Sequence, residues 1–217
     1  MPTAAAPVSA APARRAGPVG VLWRFGRPHT VIGTWLGIAG LFAIALHAAP
    51  GASAGSAAFQ LACVLIAGTG VNVAIVGVNQ ITDVEIDRIN KPHLPIAAGE
   101  LSTAAAWRIV AVAAFVPVAM ALTQGWVETG AVVVALAIGA AYSLPPVRLK
   151  RHPVAASLCI AGVRSAVVNL GVAVHFSKAF GAALRSTQRA LRKLERALLG
   201  SAQRRIPIPA KWLRAWQ

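Results

Sequence analysis

Charged residues, and acidic ones above all, are scarce in this sequence. Only 6 of 217 residues are Asp or Glu, and charged residues of both signs make up 12% of the chain, against 57% hydrophobic residues. That balance excludes an ordinary soluble domain of this length and predicts a membrane protein. The two cysteines, Cys63 and Cys159, lie in different apolar segments without the close spacing of a metal site. We interpret both as small packing residues.

Basic residues outnumber acidic ones by 21 to 6, which gives a formal net charge of +15. Such an excess could indicate nucleic-acid binding, but the basic residues lie between apolar blocks or within 177–217. Basic loops beside membrane spans explain this distribution, so no nucleic-acid partner is expected.

Five apolar blocks predict membrane-spanning helices. Each block has roughly the 17 to 25 residues that a helix needs to cross ~30 Å of hydrocarbon. The blocks are continuous rather than alternating, which favours helices over a barrel. The sequence therefore predicts an all-α, polytopic transmembrane helical bundle with spans at 30–49, 57–78, 104–122, 127–144 and 154–176.

The connecting segments predict the orientation of the bundle. Basic residues precede the first block and follow the second and fourth blocks, whereas 50–56 and 123–126 carry none. The positive-inside rule then puts the N-terminus, the acidic loop and the 145–153 loop on the cytoplasmic side. The Ala- and Pro-rich residues 1–20 are expected to be a disordered tail, although a short organelle transit peptide stays open.

The last segment, 177–217, does not fit this topology. It is strongly basic although a fifth span should deliver it to the outer side. Leucines at helical spacing beside arginines predict an amphipathic helix at an anionic surface. The alternative is that a shifted reading frame produced this Arg-rich tail.

The acidic residues concentrate in one place, with both aspartates of the chain close together. Asn79, Asp83 and Asp87 recur every four residues and would line one stripe of a helix. Asn72 lies on the same stripe, deeper in the bilayer, where polar side chains should face a protein cavity. Oxygen ligands at this spacing suit Mg²⁺, which keeps waters and completes its shell with substrate phosphates. The pattern predicts a metal-bridged phosphate site.

Arg88 and Lys91 follow directly, before a stiff Pro-rich turn. Two cations beside metal carboxylates indicate an anionic, metal-chelated ligand. The alternative is that Asp83 and Asp87 only form ion pairs with Arg88 and Lys91 at the membrane interface.

The segment NQITDVEIDRINKPHLPIAAGE at 79–100 resembles the first aspartate motif of the UbiA superfamily of membrane prenyltransferases, in its homogentisate prenyltransferase branch. LWRFGRPHTVIGT at 22–34 resembles the family's first helix, and AYSLPPVRLKR at 141–151 resembles the loop that closes over the diphosphate. The resemblance extends from residue 22 to residue 175.

The resemblance implies transfer of a prenyl group from a prenyl diphosphate to homogentisate, with loss of carbon dioxide, in tocopherol- or plastoquinone-type biosynthesis. Members of the branch have about nine transmembrane helices in two halves, with a second aspartate motif in the later half. Residues 21–176 therefore resemble a truncated form of that fold, and 177–217 do not match it. A non-catalytic membrane remnant, a related enzyme with another aromatic acceptor, and a small transporter or scaffold stay open, as does the oligomeric state.

The resemblance also implies roles for individual residues. Asn79, Asp83 and Asp87 would hold Mg²⁺, and the two aspartates would be catalytic. Other polar residues are expected to contact substrate. Arg164 would meet a substrate anion or pair with Asn72, because an unpaired charge within a span is costly. The other predicted substrate contacts are Arg27, Asn72, Arg88, Lys91, Tyr142, Arg148 and Lys150.

Overall fold

The computed structural model describes residues 17–181, without the side chains of 164–166, and this part of the chain is helical and free of strands. Four of its helices are long and apolar enough to cross a membrane. They confirm the all-α, polytopic prediction. These four helices are α2 (Pro28–His47), α3 (Ala54–Thr82), α5 (Thr103–Leu122) and α6 (Trp126–Ser143), with α1 (Pro18–Phe25) before them and α4 (Val84–Asn90) between α3 and α5.

The fifth predicted span is helical but interrupted. A short α7 (Pro153–Ala161) leads into a π-helix at Gly162–Val168, and helical backbone then continues through Gly181. A π-helix widens the turn and shifts the hydrogen-bond ladder, so this block is not one unbroken α-helix. The amphipathic helix predicted for the basic tail lies outside the described residues beyond 181, and α1 begins within the predicted N-terminal tail.

Local chemistry explains where the long helices begin. Ser53 and Ser102 precede α3 and α5, and each side-chain oxygen accepts a hydrogen bond from a backbone N–H in the first turn, at 3.3 and 3.2 Å. Pro28 and Pro153 occupy the first turns of α2 and α7, where a missing N–H costs nothing.

Helix α3 lies at the centre and packs against α2, α5 and α6. Gly70 is a position at which α3 lies close to the backbone of α5. Pro117 lacks the N–H that would bond to the carbonyl of Ala113, and the backbone of Gly70 lies beside that carbonyl. A Cβ atom built on Gly70 would lie 2.8 Å from Ala113 O. Glycine is therefore required for this helix contact.

We expect Gly70→Ala to lower the stability of the bundle by about 1–3 kcal/mol, because the added methyl group must separate two packed backbones. The matched control is Gly130→Ala in α6, where nothing lies within 4 Å of an added Cβ atom. That control should melt at the same or a higher temperature, since alanine is the better helix former. Thermal unfolding in detergent compares them, and equal melting temperatures for the two variants would contradict the proposed close contact.

Two apolar clusters lie at opposite ends of the bundle. One cluster packs Phe25, from the end of α1, against α3, α5 and the 91–102 loop. The other packs α2 and the first half of α3 against Phe176 and Phe180, whose rings stack 5.9 Å apart. The first cluster lies beneath the acidic segment, so it sets the position of the polar residues described next.

Candidate functional site

The backbone breaks at Asp83, in the middle of the acidic motif. Helix α3 ends at Thr82 and α4 begins at Val84, with Asp83 between them at φ −118° and ψ 17°. The Thr82 hydroxyl donates to the Asn79 carbonyl at 3.1 Å, and the Arg148 side chain donates to the Thr82 carbonyl at 3.5 Å. Both bonds compete with the helical ladder. The predicted single helical stripe through Asn79, Asp83 and Asp87 is therefore wrong at Asp83.

Asp83 is held by two cations from the loop after α6. Arg148 Nη2 lies 3.1 Å from Asp83 Oδ1, and Lys150 Nζ lies 2.7 Å from both carboxylate oxygens. Lys150 also donates to the Thr82 hydroxyl at 3.0 Å. Charge-assisted bonds of this length are the strong ones, and all three charged groups are largely buried. The acidic segment and the 145–153 loop, which were predicted to lie on the same side of the membrane, are in direct contact.

Asp87 forms a second cluster with Arg27 at the start of α2. Arg27 Nη2 donates to Asn79 Oδ1 at 3.1 Å and lies 3.9 Å from Asp87 Oδ2. Lys91 Nζ lies 3.5 Å from Asp87 Oδ1 and is half-exposed. Asn79 and Asp87 thus share one guanidinium, whereas Asp83 is held by the other loop.

Backbone strain coincides with these contacts. Among residues 17–181, Arg27 at φ 53° and Arg148 at φ 37° are the two non-glycine residues with positive φ. Such conformations cost on the order of 1–3 kcal/mol each and persist where the surrounding structure imposes them. Each arginine contacts a different aspartate of the motif. The strained positions are therefore the ones that direct cations toward the carboxylates.

The oxygen atoms present fit a magnesium ion. The Asp87 side chain is only 5% exposed, and its Oδ2 has no hydrogen-bond donor. A buried carboxylate oxygen without a donor is costly, and a cation removes that cost. Within residues 17–181, no three His, Cys, Asp or Glu side chains cluster closely enough to hold a metal by themselves. Mg²⁺ binds through one or two carboxylates and takes other oxygens from water and phosphate.

The remaining predicted site residues make no ion pair with Asp83 or Asp87 among the described residues. Asn72 is deeper in α3 and donates to the Gly26 carbonyl at 3.1 Å. Arg88 is exposed on α4, and Tyr142 is half-buried near the end of α6 without a hydrogen bond to any described residue. Arg164 lies within the π-helix, and its side chain is outside the described part, so its role stays a prediction.

Sequence reasoning missed four polar residues that organise the site. Gln80 is 1% exposed and donates to the Phe25 carbonyl at 2.6 Å, which ties α3 to α1. Ser143 is fully buried and accepts a hydrogen bond from Asn79 at 3.4 Å. Arg24 pairs with Glu100 and fixes the end of the 91–102 loop. Gln80 could have been identified from the sequence, because it is a polar residue within an apolar helix. No sequence pattern indicated the roles of Glu100 and Arg24.

An apolar cavity of about 670 Å³ lies between α2, α3, α6 and the 169–181 helix. Its walls are mainly glycine, alanine and valine, and Asn72 lines it at the end nearer the acidic motif. Small residues allow open space as well as close packing between helices. The cavity therefore provides an apolar volume along α3, and its lining from that helix ends at Ile75, about one helical turn before Asn79.

Comparisons with known proteins all point to one protein family. The UbiA prenyltransferase family matches residues 27–189. The homogentisate phytyltransferase of Synechocystis sp. is 44% identical over 166 residues, covering 73% of this chain and 52% of that protein. The homogentisate solanesyltransferase of Arabidopsis thaliana is 44% identical over 155 residues, covering 69% of this chain and 39% of that protein. The chain spans about half or less of the length of these curated relatives.

Solved structures share the fold. A UbiA homolog from Archaeoglobus fulgidus bound to GPP and Mg²⁺ matches with a TM-score of 0.59 at 24% identity, over 76% of this chain and 60% of that one. A digeranylgeranylglyceryl phosphate synthase matches with a TM-score of 0.61 at 17% identity, over 76% and 60%. The family match across most of the described bundle, together with these relatives, shows that the chain belongs to the UbiA prenyltransferase family.

Proposed function

We propose that this chain carries the prenyl diphosphate site of a homogentisate prenyltransferase. The observation that carries the proposal is the pair of carboxylates faced by Arg27, Arg148 and Lys150, about two helical turns beyond Ile75, the last residue of α3 that lines an apolar cavity. A metal-chelated diphosphate with a hydrocarbon tail has matching chemistry at both ends. The acceptor follows from the named relatives, which are homogentisate phytyl- and solanesyltransferases.

In the proposed reaction, the bond between the prenyl carbon and the diphosphate oxygen breaks, and a ring carbon of homogentisate bonds to the prenyl carbon. The ring carbon that bonds to the prenyl group loses its proton, the acceptor's carboxyl group is lost as carbon dioxide, and the methylene carbon left behind gains a proton to become a methyl group. Asn79, Asp83 and Asp87 would hold Mg²⁺, which, when bound, neutralises negative charge on the leaving diphosphate. The difficult step is charge separation at the allylic carbon, so preorganised positive charge beside the leaving group is the main contribution expected of the protein.

The protein's own cations have positions suited to that task. Arg148 and Lys150 are largely buried and held by Asp83, so they need little reorganisation to face a diphosphate. Lys91 and Arg88 are more exposed and would contact its outer oxygens. The apolar cavity would take the prenyl tail and keep water away from the allylic carbon.

The proposed sidedness puts the aspartate motif and the N-terminus in the cytoplasm. Its support is the clustering of basic residues from α1, the 91–102 loop and the 145–153 loop at one end of the bundle. The positive-inside rule assigns such an end to the cytoplasmic face.

The direct test uses membranes that contain this chain, supplied with radiolabelled homogentisate and prenyl diphosphates. We expect labelled lipid product in Mg²⁺ and none after chelation with EDTA, because the carboxylates cannot bind a diphosphate without a bridging cation. Membranes without the chain are the control. Absence of product with every donor would contradict the proposal and favour a non-catalytic membrane protein. Product formed only with another aromatic acceptor would overturn the choice of homogentisate.

A further inference from the structure

The apolar cavity runs along α3 and has a polar group at each end. Its wall includes Asn72 and Ile75 toward the acidic motif, and Cys63 and Phe59 toward the start of α3. Between these ends the lining from α3 is apolar: Val64, Ala67, Gly68 and Val71. A ligand whose polar group lies at the acidic motif would therefore extend its apolar part toward the start of α3.

Charged and polar side chains lie at that far end. Glu128 lines the cavity and is 7% exposed, and both of its carboxylate oxygens lie 2.9 Å from Lys178 Nζ. Lys178 also donates to the Gln124 carbonyl at 3.2 Å. His175 lines the cavity as well and hydrogen-bonds to Gln60 at 3.0 Å. We call Gln60, Glu128, His175 and Lys178 the polar floor.

We propose that the polar floor limits the length of the prenyl donor. The inference rests on the proposed function and adds a specificity determinant to it. A terminal isoprene unit gains free energy while it displaces water from apolar walls. Beyond the last apolar residue it would have to displace an ion pair and a hydrogen bond, which leaves buried polar groups unpaired. A longer prenyl chain should therefore bind more tightly until it reaches the polar floor, and a chain that extends beyond the polar floor should bind more weakly.

The spacing of residues along α3 gives the length that is available to a prenyl chain. At a rise of ~1.5 Å per residue, Asn79 and Gln60 are separated by roughly 28 Å along α3. An extended chain advances roughly 1.2 Å per main-chain bond, as an extended peptide does. A geranylgeranyl chain, with four main-chain carbons in each of its four units, then needs roughly 19 Å, whereas a nine-unit solanesyl chain needs roughly 43 Å. The first fits above the polar floor and the second does not.

The test measures binding to the full-length chain in nanodiscs with Mg²⁺, using geranyl, farnesyl, geranylgeranyl and solanesyl diphosphates. The readout is the dissociation constant from tryptophan fluorescence. We expect affinity to rise through geranylgeranyl and to fall at least about tenfold for solanesyl diphosphate. In the paired variant Glu128→Leu with Lys178→Met, no charge is left unpaired and the floor becomes apolar. The solanesyl penalty should shrink there by about tenfold.

A second variant shortens the cavity without touching the polar floor. Cys63 lines the cavity one helical turn closer to the motif than Gln60. Cys63→Phe should weaken geranylgeranyl diphosphate by about tenfold while leaving geranyl diphosphate unchanged. Cys159→Phe is the matched control, because Cys159 is equally half-buried but does not line the cavity. It should leave every dissociation constant unchanged, and melting curves report whether each variant is folded.

The possible results separate the two proposals. A length profile that is the same in the wild type, the paired variant and Cys63→Phe overturns the polar floor, even if the chain forms prenylated homogentisate. So does failure of every donor to bind. A profile that shifts as expected, with no product from any donor, supports the polar floor and contradicts the proposed transferase activity.

Discussion

Replacing Asp87 with asparagine is expected to reduce prenyl transfer by about 10²–10³-fold, the size of effect seen when one preorganised electrostatic group is lost from a charged transition state. The substitution keeps the side-chain shape but removes the negative charge from a nearly buried group whose Oδ2 has no donor. Asp83→Asn should have an effect of similar size, because Arg148 and Lys150 would lose the carboxylate that holds them.

The matched control for both variants is Glu85→Gln. Glu85 lies between the two aspartates, carries the same charge and is exposed on α4. Its loss should change activity less than about threefold, because screened surface charges contribute little. The measurement is the initial rate of labelled product over a range of Mg²⁺ concentrations, with melting temperature as the check on folding. Full activity in both asparagine variants, or an equal loss in Glu85→Gln, would overturn the site assignment.

Replacing Lys150 with methionine should also strongly reduce activity, by about 10–100-fold. Methionine retains most of the length of the side chain but removes the charge that lies 2.7 Å from both oxygens of Asp83. We expect most of the effect in kcat/KM for the prenyl diphosphate, since a missing cation weakens binding of the diphosphate and of the charge that develops on it.

Arg151→Met provides the comparison, because Lys150 and Arg151 belong to the same short 3₁₀ helix, Leu149–Arg151. Arg151 follows Lys150 directly but is exposed, and it makes no ion pair with a described residue. Its kcat/KM should stay within about twofold of the wild type. Equal losses in the two variants would show that only the general positive charge of the loop matters, and not the specific contact between Lys150 and Asp83.

Some features of this site could be predicted because they follow from local pattern and membrane physics. Apolar blocks separated by basic loops indicated helices, and an oxygen-rich cluster in an acid-poor chain indicated a cation site. The sequence could not predict that the motif divides into two clusters, one with Asp83 and the other with Asn79 and Asp87. Helical spacing put Asn79, Asp83 and Asp87 on one stripe, but contacts from 65 residues further along the chain hold Asp83 at a break between helices.

Glu128 shows the same limit at the other end of the bundle. In sequence it is an isolated acid at the start of an apolar block, and Lys178 lies at the start of the basic segment 177–217. Their ion pair at 2.9 Å exists because α6 and the 169–181 helix meet at the floor of the cavity. No pattern along the sequence relates residues 50 positions apart on different helices.

The sequence by itself determined the fold class, the family resemblance and the chemical type of the site, because composition, helical periodicity and a long motif depend only on the order of residues. Only the tertiary structure decided which cation holds which carboxylate, which oxygen of Asp87 lacks a donor, and where the apolar cavity ends. Those properties depend on packing between α2, α3 and α6. Distances between helices result from the whole set of side-chain contacts, which no single segment specifies.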